Sequence, residues 1–155
     1  MIKSYNQFIN ESLSSNYRYE FDNKSEEVFE FINNYLITEY DLKEYLTSKT
    51  TYQLSVYDGD KLIGASIFEV EKPKIHNSYC AVLEQYRNKG INKNILLKLM
   101  EYGKNNGCVQ FTAYVREDNI QSLKSHMSIG MMVDEGFEGR YPDGDKKLLL
   151  YKMLK

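Results

Sequence analysis

Apolar residues along this chain recur at two different spacings, and each spacing predicts one kind of element. A helix repeats its buried positions every three or four residues, whereas a strand repeats them every second residue. Residues 28–36 follow the helical spacing and residues 52–56 the strand spacing. Over the whole chain, the pattern predicts strands at 17–21, 52–56, 61–70, 74–83, 109–115, 131–139 and 146–154.

Polar capping residues and turns divide these elements. Asn23 and Asp118 are each followed three residues later by glutamate or glutamine, which is the spacing of a capping box. The sequences "DGD" at 58–60 and "YPDGD" at 141–145 are typical of tight turns between strands. Helices are therefore predicted to begin after Asn23, Asp41, Gly90 and Asp118.

The resulting order of elements predicts an α+β (mixed α/β) fold. Antiparallel strands come first and one strand-helix-strand crossover lies in the middle, so the sheet should be mixed with helices on both faces. Residues 17–155 are long enough for one domain with one core. Residues 1–14 place apolar side chains at helical spacing ahead of a short linker, and we expect a separate N-terminal amphipathic peptide.

Composition and charge exclude several classes of function. The formal charge of -2 argues against a protein that coats nucleic acid, so we expect no nucleic-acid partner. No apolar run approaches the ~20 residues of a membrane span. The two cysteines, Cys80 and Cys108, have no metal-ligand or disulfide spacing and are predicted to be reduced, buried residues. We expect a cytoplasmic protein, monomeric or homodimeric, without a metal or membrane partner.

The stretch "AVLEQYRNKGINKNILLKLMEYG", residues 81–103, runs from a buried strand through a basic loop into an amphipathic helix. A turn at a helix start makes an anion site, because unpaired N–H groups and the helix dipole act together. Gly90 lets the backbone come close to a ligand, and Arg87 and Lys89 add positive charge. Taken alone, the pattern leaves two alternatives open, a phosphate site or an ordinary surface turn.

Two motifs at the expected separation resemble the GNAT superfamily of acetyl-CoA-dependent N-acyltransferases. "VLEQYRNKGIN" is similar to its coenzyme A loop, Arg/Gln-x-x-Gly-x-Gly/Ala, with Arg87, Gly90 and Asn92 on the motif positions. "DNIQSLKSHMSIGM" is similar to the family's second motif, with Asn119 and His126 in register. The resemblance covers about residues 17–155 and implies the GNAT fold, with a central, mostly antiparallel sheet.

The resemblance also implies which residues bind acetyl-CoA as co-substrate. The diphosphate would lie on the loop, and the pantetheine arm would pair with the strand edge where it splays from the strand at 109–115. This chain departs from the family at Asn92, where a small residue is usual, and at Glu84, where proline is common. The implied cofactor-binding residues are Val82, Leu83, Arg87, Asn88, Lys89, Gly90, Ile91, Asn92 and Asn119.

The implied reaction is acetyl transfer to a primary amine of a small molecule or a protein. His126 stands where the family has a tyrosine that protonates the leaving thiolate, so it is either the proton donor or a helix surface residue. The general base is open among Glu69, His76, Tyr79 and Glu84, of which Glu69 and His76 are expected to be solvated. Tyrosines around the first two helices either line an acceptor pocket or pack the core. A non-catalytic CoA-binding protein is the alternative function.

The N-terminal peptide "MIKSYNQFINE" carries a second resemblance, over eleven residues. It is similar to the leader peptides that target internal head proteins of large tailed phages to the capsid, which are cut after an Ile-x-Glu sequence. Ile9, Asn10 and Glu11 fit such a cut. The resemblance implies a protein packaged in a virion, and the other interpretation is a first helix or frayed tail of the domain.

Overall fold

The computed structural model describes residues 17–36 and 38–155, so the predicted N-terminal peptide lies outside the described residues. Within this part of the chain, four α-helices and eight strands confirm the mixed α+β prediction. A 3-10 turn, Glu84–Tyr86, precedes the helix Ile91–Asn105. The elements are β1 (Tyr17–Glu20), α1 (Glu26–Tyr35), α2 (Leu42–Thr47), β2 (Thr51–Asp58), β3 (Lys61–Glu71), β4 (Lys74–Val82), α3 (Ile91–Asn105), β5 (Gln110–Arg116), α4 (Ile120–Ser128), β6 (Met132–Val133), β7 (Gly139–Arg140) and β8 (Lys146–Met153).

The chain divides into two compact units, and β3, β4 and α3 each contribute residues to both. The first unit comprises the described residues up to Ile67 together with Tyr79–Ile95, and the second comprises Phe68–Ser78 and Leu96–Lys155. None of the helices described is long and apolar enough to cross a membrane.

In the first unit the strands are ordered β1-β2-β3-β4, and β1 pairs antiparallel with β2. Helices α1 and α2 bury their apolar side chains against β3 and the end of β4, which removes apolar surface from water and stabilises the unit. The ring of Tyr45 packs against Phe29 with centroids 5.5 Å apart. This core consists of Val28, Phe29, Ile32, Tyr45, Ala65, Ile67 and Ala81.

In the second unit the order is β3-β4-β5-β8-β6, with β7 pairing β8 beside this path. Strand β5 is parallel to β4 and antiparallel to β8. The predicted strand 131–139 is wrong as a single element, since it forms the two short strands β6 and β7. The Asp134 carboxylate accepts a hydrogen bond from Gly136 N at 2.9 Å, and this Asx turn interrupts the extended backbone.

Two of the predicted helix caps are wrong by one or two residues. Ser25, not Asn23, caps α1, since its hydroxyl accepts from Val28 N at 3.3 Å. Its own N–H donates to the Gln53 side chain at 2.9 Å, a tertiary contact that fixes the cap position. Likewise Asn119, not Asp118, caps α4. The predicted start of α2 at Asp41 is confirmed, and the Asp41 carboxylate caps the helix by accepting a hydrogen bond from Glu44 N at 2.7 Å.

Strand β4 contacts α3 within each unit. Within the second unit Ile75 packs against Gly103 of α3, where an added Cβ would lie 2.5 Å from the Ile75 side chain. Within the first unit Cys80 hydrogen-bonds to Asn92 near the start of the same helix. The ladder of β4 with β5 covers Lys74–Asn77.

Candidate functional site

Main-chain hydrogen bonds fix the first part of the turn between β4 and α3. Leu83 N donates to Ile63 O of β3 at 2.8 Å, and Arg87 N donates to Glu84 O at 3.1 Å. The N–H of Arg87 is therefore engaged within the turn, and the residue can serve an anion through its side chain. Beyond it, Asn88 and Gly90 both adopt left-handed backbone conformations, with φ of 62° and 79°.

The start of α3 provides the backbone geometry of an anion site. Asn94 N donates to Gly90 O at 3.0 Å, which makes Gly90 the residue from which the helix begins. N–H groups ahead of this bond have no acceptor inside the helix, as in the first turn of any helix. A Cβ added to Gly90 would meet no atom within 4 Å, so the space beside the turn is open. A phosphate group fits a turn of this kind.

Positive side chains surround the turn. Arg87 folds back so that Nε donates to Val82 O at 3.1 Å. The ammonium groups of Lys61 and Lys89 lie 5.6 and 5.4 Å from the centre of the Tyr86 ring, and the Tyr86 hydroxyl donates to Asp58 at 2.6 Å. Sequence reasoning did not single out Tyr86 within the turn. It also missed Lys61, because only the hairpin of β2 and β3 brings this residue to the turn.

Asn92, the departure from the family motif, is held by a strand residue. The Cys80 thiol donates a hydrogen bond to Asn92 Oδ1 at 2.9 Å. Burial raises the pKa of Cys80 to about 12, so the thiol stays protonated and acts as a donor rather than as a nucleophile. Both cysteines are free; Cys108 is buried as predicted, whereas Cys80 is half-buried, which corrects its predicted full burial. Among the described residues no group of three or more His, Cys, Asp and Glu side chains could hold a metal ion.

Two of the predicted binding residues can contribute only through their backbone. Val82 is 8% exposed and Ile91 is 2% exposed. The Ile91 side chain lies 3.6 Å from a Cβ built on Gly64, so this glycine allows the start of α3 to approach β3 closely. The buried side chains thus fix the position of the turn relative to the first unit's sheet, and polar contacts with a ligand fall to their main chain.

The second unit contains the other two predicted site residues, Asn119 and His126, both on or next to α4. Asn119 Oδ1 accepts from Ser122 N at 3.1 Å, so the side chain caps the helix, and its cofactor contact remains a prediction. His126 is 5% exposed, which rules out the surface alternative. Its Nδ1 donates to Ser122 O at 2.7 Å, and burial lowers the pKa of His126 below its usual 6.5. At neutral pH its Nε2 is therefore unprotonated and can donate a proton only from the imidazolium form.

His76 was expected to be solvated, and the structure corrects this. Its Nδ1 hydrogen-bonds with Thr112 Oγ1 at 2.7 Å, and its ring stands edge-on to Tyr114 at 4.7 Å. Burial, with a smaller effect of nearby Lys147, lowers the pKa of His76 to about 4. A neutral imidazole of such low basicity is a weak acceptor for an ammonium proton.

Two tyrosines of the first unit, Tyr45 and Tyr79, hold neighbouring segments in place. Tyr45 is fully buried and donates to Gln53 Oε1 at 2.5 Å, so it belongs to the core rather than to a pocket. Tyr79, one of the four candidate bases, accepts from Glu39 N at 2.8 Å and contacts the Tyr40 ring edge-on at 6.1 Å. Its hydroxyl thus holds the segment that joins α1 and α2 against β4.

Comparison with known proteins agrees with this geometry. The profile of the acetyltransferase (GNAT) family matches residues 8–131. Among solved structures, a Bacillus subtilis acetyltransferase in complex with CoA is 18% identical, with a TM-score of 0.73, over 90% of this chain and 99% of that one. A GNAT family acetyltransferase from Elizabethkingia anophelis with acetyl-CoA bound is 13% identical, with a TM-score of 0.74, over 91% of this chain and 100% of that one.

A third similar structure has a defined acceptor. The ribosomal-protein-S18-alanine N-acetyltransferase of Escherichia coli is 13% identical, with a TM-score of 0.70, over 89% of this chain and 95% of that one. At such identities the likeness extends to the fold and not to the acceptor. A search of curated proteins by sequence finds no match.

Proposed function

Because this chain belongs to the acetyltransferase (GNAT) family, we propose that it transfers the acetyl group of acetyl-CoA to a primary amine. One observation carries the proposal: the turn after β4 presents the start of α3 to open space beside Gly90, flanked by Arg87 and Lys89. Acetyl-CoA supplies the activated thioester when it is bound. The proposal assigns to the protein the tasks of binding this molecule and orienting an amine toward it.

The residues of the turn suit a diphosphate. The main chain of 88–92 would hold the phosphates through N–H groups, because Asn88 and Gly90 adopt the left-handed conformations that build such a concave turn. Arg87 and Lys89 would add charge-assisted contacts, which are shorter and stronger than neutral ones. Val82 and Leu83, at the end of β4, would meet the pantetheine arm through their backbone.

In this proposal, most of the rate acceleration comes from orienting the amine against the thioester. Holding an amine against a thioester converts a bimolecular step into an effectively unimolecular one, which requires few catalytic side chains. The amine must be neutral to attack, and the leaving sulfur must gain a proton. His126 is proposed as that proton donor, on the condition that its imidazolium form is populated.

The acceptor is proposed to be a small-molecule amine or an amine of a protein. A panel that includes amino acids, polyamines, aminoglycosides and N-terminal peptides tests this, with acetyl-CoA present and each product identified by mass spectrometry. Formation of an acetylated amine together with free CoA is the expected result.

The lowered pKa of His126 favours a second candidate, a CoA-binding protein without turnover, because a neutral imidazole cannot protonate the leaving thiolate as the imidazolium would. Binding of acetyl-CoA without any acetylated product across the panel would support this candidate. A robust acetyl product would eliminate it.

A further inference from the structure

Asn92 belongs to the proposed diphosphate turn, and yet its side chain is turned toward β4. Asn92 is the second residue of α3, and its Oδ1 accepts from Cys80 Sγ at 2.9 Å. Cys80 lies two residues before the end of β4, so this hydrogen bond joins a strand side chain to a helix side chain. The thiol is a dependable donor, because burial raises the pKa of Cys80 to about 12.

An asparagine at the start of a helix has another hydrogen-bonding option. Its carboxamide oxygen can accept from N–H groups of the first turn, as asparagine does when it caps a helix. These N–H groups are the ones that a phosphate would use. A carboxamide left without its strand partner would therefore compete with the ligand for the same donors, in addition to occupying more volume than the small residue usual at this position.

We propose that Cys80 is a positioning residue: its thiol holds the Asn92 carboxamide against β4 and so leaves the first turn of α3 open to the diphosphate of CoA. This inference rests on the proposed function of the turn. It explains how this chain accommodates asparagine there without losing the site. It also gives the Cys80 thiol a role that is neither nucleophilic nor redox-active.

Calorimetric titration with CoA, which requires no acceptor, tests the inference through variants at both positions. Cys80→Ala is expected to weaken CoA binding by about fivefold to tenfold, the scale of one lost hydrogen bond. Cys80→Ser should restore most of the affinity, because the hydroxyl can donate to Asn92. In the Asn92→Ala background Cys80→Ala should have no further effect on CoA affinity, because the carboxamide that the thiol positions is absent. Cys108→Ala, at the other free cysteine, is the matched control and should leave CoA affinity unchanged.

A second readout follows the hydrogen bond itself. In the Raman spectrum of the free protein, the S–H stretching band of Cys80, assigned by its loss in Cys80→Ala, should move to higher frequency in Asn92→Ala. The Cys108 band should not move. An unchanged Cys80 band in Asn92→Ala would overturn the inference, because no bond would then exist.

The two failures can be told apart. If the wild type binds CoA and Cys80→Ala binds it equally well, the positioning role is wrong while the proposed function stands. If the wild type binds no CoA, the proposed function is wrong and the positioning role falls with it, whatever the Raman spectrum shows. Thermal unfolding of each variant identifies an affinity loss that arises from misfolding, and the Asn92→Ala background then decides, since a packing defect at Cys80 would persist there.

Discussion

Arg87 and Val82 are joined by a hydrogen bond of 3.1 Å from the guanidinium Nε to the carbonyl oxygen at the end of β4. The bond orients a basic side chain at the turn while its remaining N–H groups can still serve an anion. The main-chain carbonyl of Val82 is one that the pantetheine arm would approach. The side chain thus links the strand end with the proposed diphosphate site.

Arg87→Met should weaken CoA binding by about tenfold or more, because a hydrogen bond to a charged group contributes about 1.5–3 kcal/mol. Isothermal titration calorimetry at two salt concentrations measures the effect, and the variant should show a smaller salt dependence than the wild type. Arg140→Met is the matched control, since Arg140 is also exposed and also donates to a backbone carbonyl, that of Gly144 at 2.9 Å. Equal losses in the two variants would contradict a specific role for Arg87.

His126 should produce a falling limb in the pH dependence of acetyl transfer. Proton donation requires its imidazolium, and burial lowers the pKa of His126 below 6.5. The kcat measured with saturating acetyl-CoA and an acceptor of low amine pKa should therefore fall as pH rises from 6 to 8. His126→Gln should lower kcat at pH 6 by about 100-fold and abolish this limb, with acetyl-CoA affinity unchanged. A variant with wild-type kcat would exclude the role.

His76 should make stability depend on pH. Its pKa is lowered to about 4 in the folded protein from 6.5, so the unfolded chain binds the proton more tightly between these values. The stabilisation is complete above pH 6.5 and is lost as pH falls toward 4, by roughly 3 kcal/mol. Urea unfolding at pH 7 and pH 4 should show a larger loss for the wild type than for His76→Gln. Parallel losses would show that His76 is not the source.

The sequence predicted the strand-turn-helix at the site because each part carries a local signal. The period of apolar residues changes from two to between three and four across Gly90, and a glycine between the two patterns is itself a turn signal. Caps were less predictable, because neighbouring polar residues compete for the same position. Ser25 caps the helix instead of Asn23 because it also contacts Gln53, which lies on β2.

Contacts that depend on tertiary structure could not be read from spacing. The burial of His76 depends on its neighbours on β5, and a polar residue in a strand gives no sign of them. The link between Cys80 and Asn92 joins a strand to a helix across the turn, so neither residue identifies the other in the sequence. Asn92 departs from the motif, and its side chain is held by the Cys80 thiol.

Acetyl-CoA binding by the wild type and by Gly90→Asp tests the central claim most directly. Gly90 has φ of 79° and open space beside it, so an aspartate there would place a carboxylate where the phosphates are proposed to lie. Gly144→Asp is the control, because Gly144 also has positive φ, 93°, and open space, but lies in the turn between β7 and β8. We predict that the wild type and Gly144→Asp bind acetyl-CoA in calorimetry and that Gly90→Asp binds at least about tenfold more weakly. Wild-type affinity in a folded Gly90→Asp protein would contradict the account.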